Sequence, residues 1–138
     1  MLNLHVRPDA YELQLDDDVL ARLDGGPAAL LAGAGERLRD LDIEAAIERA
    51  EDWLMPSSKV LLGLELRVCG ETAPIRKLLG HQASFTATEV ESAFARLLDA
   101  VAHARASDRD GAAAVVLLRE LVHHAKLSRI WVDAGNSL

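Results

Sequence analysis

The sequence predicts an α+β domain: a small antiparallel sheet of three or four strands, covered on one face by a central helix and a C-terminal antiparallel helical hairpin. Three observations carry that expectation. Ile43, Ala46, Ile47, Ala50, Trp53 and Leu54 recur at the spacing of one helical stripe, with Glu44, Glu48, Glu51 and Asp52 opposite. Val60, Leu62, Leu64, Leu66 and Val68 then alternate with Lys59, Gly63, Glu65, Arg67 and Cys69, apart from Leu61. Such alternation argues for an antiparallel sheet with one wet face, because a parallel sheet covered on both faces reads as an unbroken apolar run. Further on, two apolar helical stripes flank the polar stretch Ser107–Gly111, which implies a helical hairpin.

In chain order, Leu2, Leu4 and Val6 alternate with polar residues, as do Tyr11, Leu13 and Leu15; Arg7-Pro8-Asp9-Ala10 between them is turn chemistry. This predicts an N-terminal β-hairpin. Asp16, Asp17 and Asp18 follow, one of them expected to cap a short helix through Val19, Leu20 and Leu23. They lack the spacing, glycine and distal glutamate of a calcium loop. Asp24-Gly25-Gly26-Pro27 breaks the chain, and Pro27 can open a short helix that Gly33 and Gly35 end. A second short helical piece is expected from Glu36 to Leu41.

Asp42 is the expected N-cap of the central helix, and Pro56 its stop. Glu51 and Asp52 sit in its last turn, where the helix dipole disfavours anions. A nearby cation such as Lys59, or a use for the acids, is required there. After the strand, Glu71-Thr72-Ala73-Pro74 is a turn, and Ile75–Leu79 is assigned as the return strand of a hairpin in preference to a helical turn begun by Pro74. Thr88 and Glu91 have the spacing of a capping box for the helix through Val90, Ala93, Phe94, Leu97, Leu98 and Val101. Ala114, Leu117, Leu118, Leu121, Val122 and Ala125 form the second stripe. Arg129–Val132 is expected as a short edge strand and residues 134–138 as a loose tail.

At 138 residues, half of them hydrophobic, residues 1–138 suit a single domain with a core that needs no disulfide or metal. One cysteine, Cys69, excludes an internal disulfide framework and fits a reducing compartment. The N-terminus lacks the pattern of a signal peptide, so the expected location is cytoplasmic. The net charge of −7 lies entirely in residues 1–70, with 14 acids and 7 bases; the remainder carries 8 of each. That balance, with no basic patch or aromatic platform, speaks against nucleic acid and anionic membranes as partners.

Few residues suggest chemistry. Asp99 and His103 are four apart, and Glu120 lies three and four residues before His123 and His124. Glu-x-x-His is half of a di-iron signature, but the antiparallel hairpin separates His103 from His123 by about 15 Å or more. No metal site and no cofactor are therefore expected, and no catalytic residue is assigned. Ser57, Ser58, Ser84 and Cys69 lie in no nucleophile motif. Gly33-Ala34-Gly35 is not a phosphate cradle. The expected function is a non-enzymatic accessory or assembly factor acting through protein–protein contact, self-associating through the broadly apolar helix from Ala112 to Ala125. The alternative is a small-molecule-binding protein or enzyme with a pocket between sheet and helices, using His5, Tyr11 or His124 as polar anchors.

Overall fold

The structure is a computed structural model that describes residues 1–105 and 108–134. The chain begins with β1 (Leu2–Arg7), β2 (Ala10–Leu15) and β3 (Asp18–Asp24). The helices α1 (Pro27–Leu30) and α2 (Asp40–Leu54) follow, then β4 (Glu65–Gly70), α3 (Ala73–Leu79), β5 (Ser84–Phe85), α4 (Ala87–Ala102), α5 (Arg109–Ala125) and β6 (Arg129–Val132). The strands form one mixed sheet of six in the order β3-β2-β1-β4-β6-β5. The pairs β1–β2, β2–β3 and β5–β6 are antiparallel, whereas β1–β4 and β4–β6 are parallel.

The expected three- or four-stranded antiparallel sheet is therefore replaced by a larger mixed one. The error lies in the inference from alternation. Leu2, Leu4 and Val6 of β1, Leu66 and Val68 of β4, and Ile130 and Val132 of β6 are buried on one face. Their neighbours Asn3, His5, Glu65, Arg67, Cys69, Arg129 and Trp131 are only partly buried or exposed. Parallel strands alternate in this way when helices cover a single face, so the pattern does not report strand direction.

Several elements shift for local reasons. The first hairpin is present, with Leu4 opposite Leu13 and Val6 opposite Tyr11. Asp16 to Asp18 lead into β3 instead of capping a helix, and a bulge at Leu13/Gln14 accommodates its odd spacing. Residues 36–39 are not helical; α2 starts at Asp40, and Asp42 acts from its third position, accepting from the Arg39 N–H at 2.8 Å. The predicted strand from Val60 begins only at Glu65. Val60 and Leu62 are 56% and 59% exposed, whereas the apparent misfit Leu61 is fully buried. Pro74 opens helix α3, so Ile75–Leu79 is not a return strand. The capping box is two residues earlier than predicted: Thr86 Oγ1 accepts from the Glu89 N–H at 3.3 Å, and Glu89 Oε1 accepts from the Thr86 N–H at 3.1 Å. Strand β6 lies inside the sheet between β4 and the two-residue β5, not at its edge. Ser107 of the expected loop, and 135–138 of the expected tail, lie outside the described residues.

The core centres on α5. Every residue from Ala112 to Leu118 is buried, together with Leu121, Val122 and Ala125. This helix packs against α1, α2, α3 and α4. Its all-round apolar character is thus answered within the chain, as expected of a helix enclosed by others. Among the described residues, no helix is long and apolar enough to cross a membrane.

Candidate functional site

The parallel pair β1–β4 ends in register, Val6 beside Gly70, and its carboxyl ends open onto a small cleft. Open α/β sheets place ligands at this position, because chain connections leave from the strand ends and expose backbone there. The cleft has a volume of about 130 Å³ and is walled by Val6, Pro8, Pro27, Pro74, Ile75 and Ala114. Three charged residues also line it: Arg7 at the end of β1, Glu71 just after β4, and Asp110 in the first turn of α5. All three are exposed.

Glycines allow the backbone segments around this cleft to approach so closely. A Cβ on Gly70, whose φ is +89°, would lie 2.3 Å from the Val6 carbonyl oxygen. One on Gly26, with φ +54°, would lie 2.9 Å from the Ala10 nitrogen. Both positions need a residue with no side chain, on steric and conformational grounds alike. At Gly111 an added Cβ would meet the Pro74 carbonyl oxygen at 2.9 Å. Each of the three adjoins a lining residue: Pro27, Glu71 and Asp110. By contrast, Gly33, Gly35, Gly63 and Gly80 face open space.

Tyr11 lies next to Val6 on the helix-covered face and is fully buried. Its hydroxyl has no hydrogen-bond partner among the described residues. Burial raises its pKa, and the nearby negative charge of Asp110 raises it further. The phenol therefore stays neutral.

The anchors suggested by the sequence do not converge. His5 projects from the opposite face of the sheet to Tyr11, where its Nδ1 lies 3.4 Å from Cys69 Sγ. Burial and the Asp133 charge raise the pKa of that thiol, so the pair does not present a ready thiolate. His124 lies near the far end of α5, roughly 20 Å along the helix from Asp110. Among the other candidates, His103 Nδ1 contacts the Asp99 carbonyl oxygen at 2.8 Å near the end of α4, while His123 pairs with Glu91. Ser57 is buried, Ser58 donates to the Met55 carbonyl oxygen, and Ser84 accepts from Arg129.

No family model matches the sequence, and no curated protein does. Solved structures do match. The fold resembles that of Ppx/GppA enzymes. The structures are of the Aquifex aeolicus PPX-GPPA enzyme (TM-score 0.63, 10% identity), the type II variant of the Aquifex aeolicus Ppx/GppA phosphatase (0.65, 13%) and an Aquifex aeolicus Ppx/GppA family member (0.60, 11%). Each match covers 96% of this chain, but 52, 52 and 51% of the respective solved chains. The chain thus spans about half the length of these structures. Identity this low shows the fold alone. An architecture shared with enzymes runs against the expectation of a non-enzymatic accessory factor, which rested on the lack of motifs.

Sequence reasoning passed over Arg7, Glu71 and Asp110 as turn and loop residues. The available signal was their neighbourhood: Arg7-Pro8, Gly70-Glu71 and Asp110-Gly111 each set a charge beside a backbone-shaping residue.

Proposed function

We propose that this chain is the phosphoryl-binding part of a phosphatase-type enzyme, with the phosphoryl group held in the cleft of Arg7, Glu71 and Asp110. One observation carries this reading: the cleft stands at the carboxyl ends of parallel strands, in a fold like that of Ppx/GppA phosphatases. The guanidinium of Arg7 suits two phosphoryl oxygens at once, since its N–H groups form a planar fork. Glu71 and Asp110 repel a bare anion. With a hard divalent cation between them and the ligand, the repulsion becomes attraction. A carboxylate so placed can also orient a water for attack on phosphorus.

The cleft is smaller than the 300 Å³ or so typical of pockets for drug-sized ligands. It fits a terminal phosphoryl group, leaving the rest of a substrate outside. The step assigned to this chain is binding.

The test is calorimetric titration of the full chain with inorganic phosphate and with pyrophosphate, each with Mg²⁺. Wild-type protein is expected to bind, and Arg7→Ala to bind at least about tenfold more weakly, the value of one charge-assisted hydrogen bond. No binding by wild-type protein, or equal binding by the two, counts against the proposal.

A further inference from the structure

At the opposite pole of α5, three metal-ligating side chains converge. Glu51 comes from the last turn of α2, and Glu120 and His124 from one face of α5. One ligand atom from each lies within 4.8 Å of the others. His124 Nε2 is 3.3 Å from Glu120 Oε1 and 3.9 Å from Glu51 Oε2. Ligand atoms around a tetrahedral zinc at 2.0–2.1 Å stand roughly 3.4 Å apart. The first distance already fits, and the second needs only a small rotation of the half-exposed Glu51 side chain.

Burial and charge set this cluster apart from a surface acid patch. The Glu120 side chain is 97% buried (3% exposed). Its other oxygen, Oε2, accepts from Arg119 Nη1 at 3.1 Å, leaving Oε1 turned toward His124. That division of a carboxylate, one oxygen anchored and one offered, is how outer contacts orient a metal ligand. Arg119 does not neutralise the group by itself. It lies 3.6 Å from Glu91, which His123 also meets, and stacks over Phe94. Glu51, Glu91 and Glu120 set three carboxylates around the one guanidinium of Arg119. A single Nε2–H can also donate to only one carboxylate at a time. A dication answers both deficits and the unfavourable place of Glu51 at the C-terminus of α2. His124 is 32% and Glu51 44% exposed, so a fourth position stays open to water.

We propose that Glu51, Glu120 and His124 form a divalent transition-metal site of the zinc class, tying the end of α2 to the end of α5. It is remote from the cleft of Arg7, Glu71 and Asp110, and its role is to hold the two helices together.

The experiment titrates the full-length, metal-stripped chain with Zn²⁺, and with Co²⁺ as a spectroscopic probe. One equivalent of zinc is expected to bind, and zinc at about a hundred times its Kd to raise the unfolding midpoint by roughly 5–10 °C. Cobalt is expected to show the intense visible bands of a four-coordinate ion. Glu51→Gln and His124→Asn, at half-exposed positions that leave the fold intact by circular dichroism, are expected to weaken binding at least about tenfold. His103→Asn and Cys69→Ser, which remove two histidine contacts away from this cluster, are expected to leave it unchanged. Absence of binding by the wild-type chain overturns the proposal. So does undiminished binding by both Glu51→Gln and His124→Asn, or equal loss in the two control variants.

Discussion

Tyr11 shows how a single residue can be favourable and costly at once. Its ring fills the core beside Val6, yet its hydroxyl is buried without a hydrogen-bond partner among the described residues. A buried, unpaired hydroxyl costs about 1–3 kcal/mol. Tyr11→Phe keeps the ring and removes that cost, so it is expected to stabilise the chain by about 1 kcal/mol in urea unfolding. A loss of stability would show that the hydroxyl takes part in a hydrogen bond. The sequence placed Tyr11 correctly on the apolar side of its strand. Period-two alternation assigns a face, but cannot show what lies beyond the tip of a side chain.

Among elements, the end of β4 shows the closest backbone approach of any glycine beside the cleft. Gly70 combines a positive φ with a backbone approach that leaves no room for a methyl group. Gly70→Ala is expected to destabilise the chain by at least about 2 kcal/mol, from the left-handed conformation and the clash with the Val6 carbonyl together. A chemical denaturation midpoint checks this. Gly63→Ala is the informative control, because its φ of +74° carries the same conformational penalty with open space around the Cβ. Equal losses at the two positions would mean that the close approach contributes nothing. Element boundaries went astray in the sequence wherever a turn mimicked a period. Residues 60–64 alternate like a strand, but the structure buries Leu61 and exposes Val60 and Leu62. The tertiary environment reversed their parity because the segment is a turn that docks a single leucine.

For the molecule as a whole, α5 is the common support. It meets four other helices, holds Asp110 at one end and presents Glu120 and His124 near the other. Leu117 at its centre is fully buried, whereas Leu98 of α4 is 37% exposed. Leu117→Ala is expected to cost about 2–5 kcal/mol through lost burial and the cavity left behind, and Leu98→Ala under about 1 kcal/mol. Comparable unfolding free energies for the two variants would contradict the central place of α5. The same enclosure explains why its apolar breadth, taken from the sequence as a surface for self-association, is satisfied within the chain.

Outside residues 60–64, the apolar faces were legible in the residue order, as were the first hairpin, the central helix, the two helices of the hairpin and the short strand at Arg129–Val132. These follow from local periodicity and turn chemistry, which operate within a few residues. Strand direction, the six-stranded order and the cleft emerged only from long-range packing. Strand pairing joins residues far apart in the chain: Val6 meets Gly70, and Leu66 meets Ile130. Alternation looks the same in parallel and antiparallel strands that bury one face. For that reason Arg7, Glu71 and Asp110 read as unrelated turn residues until the fold brought them to one cleft.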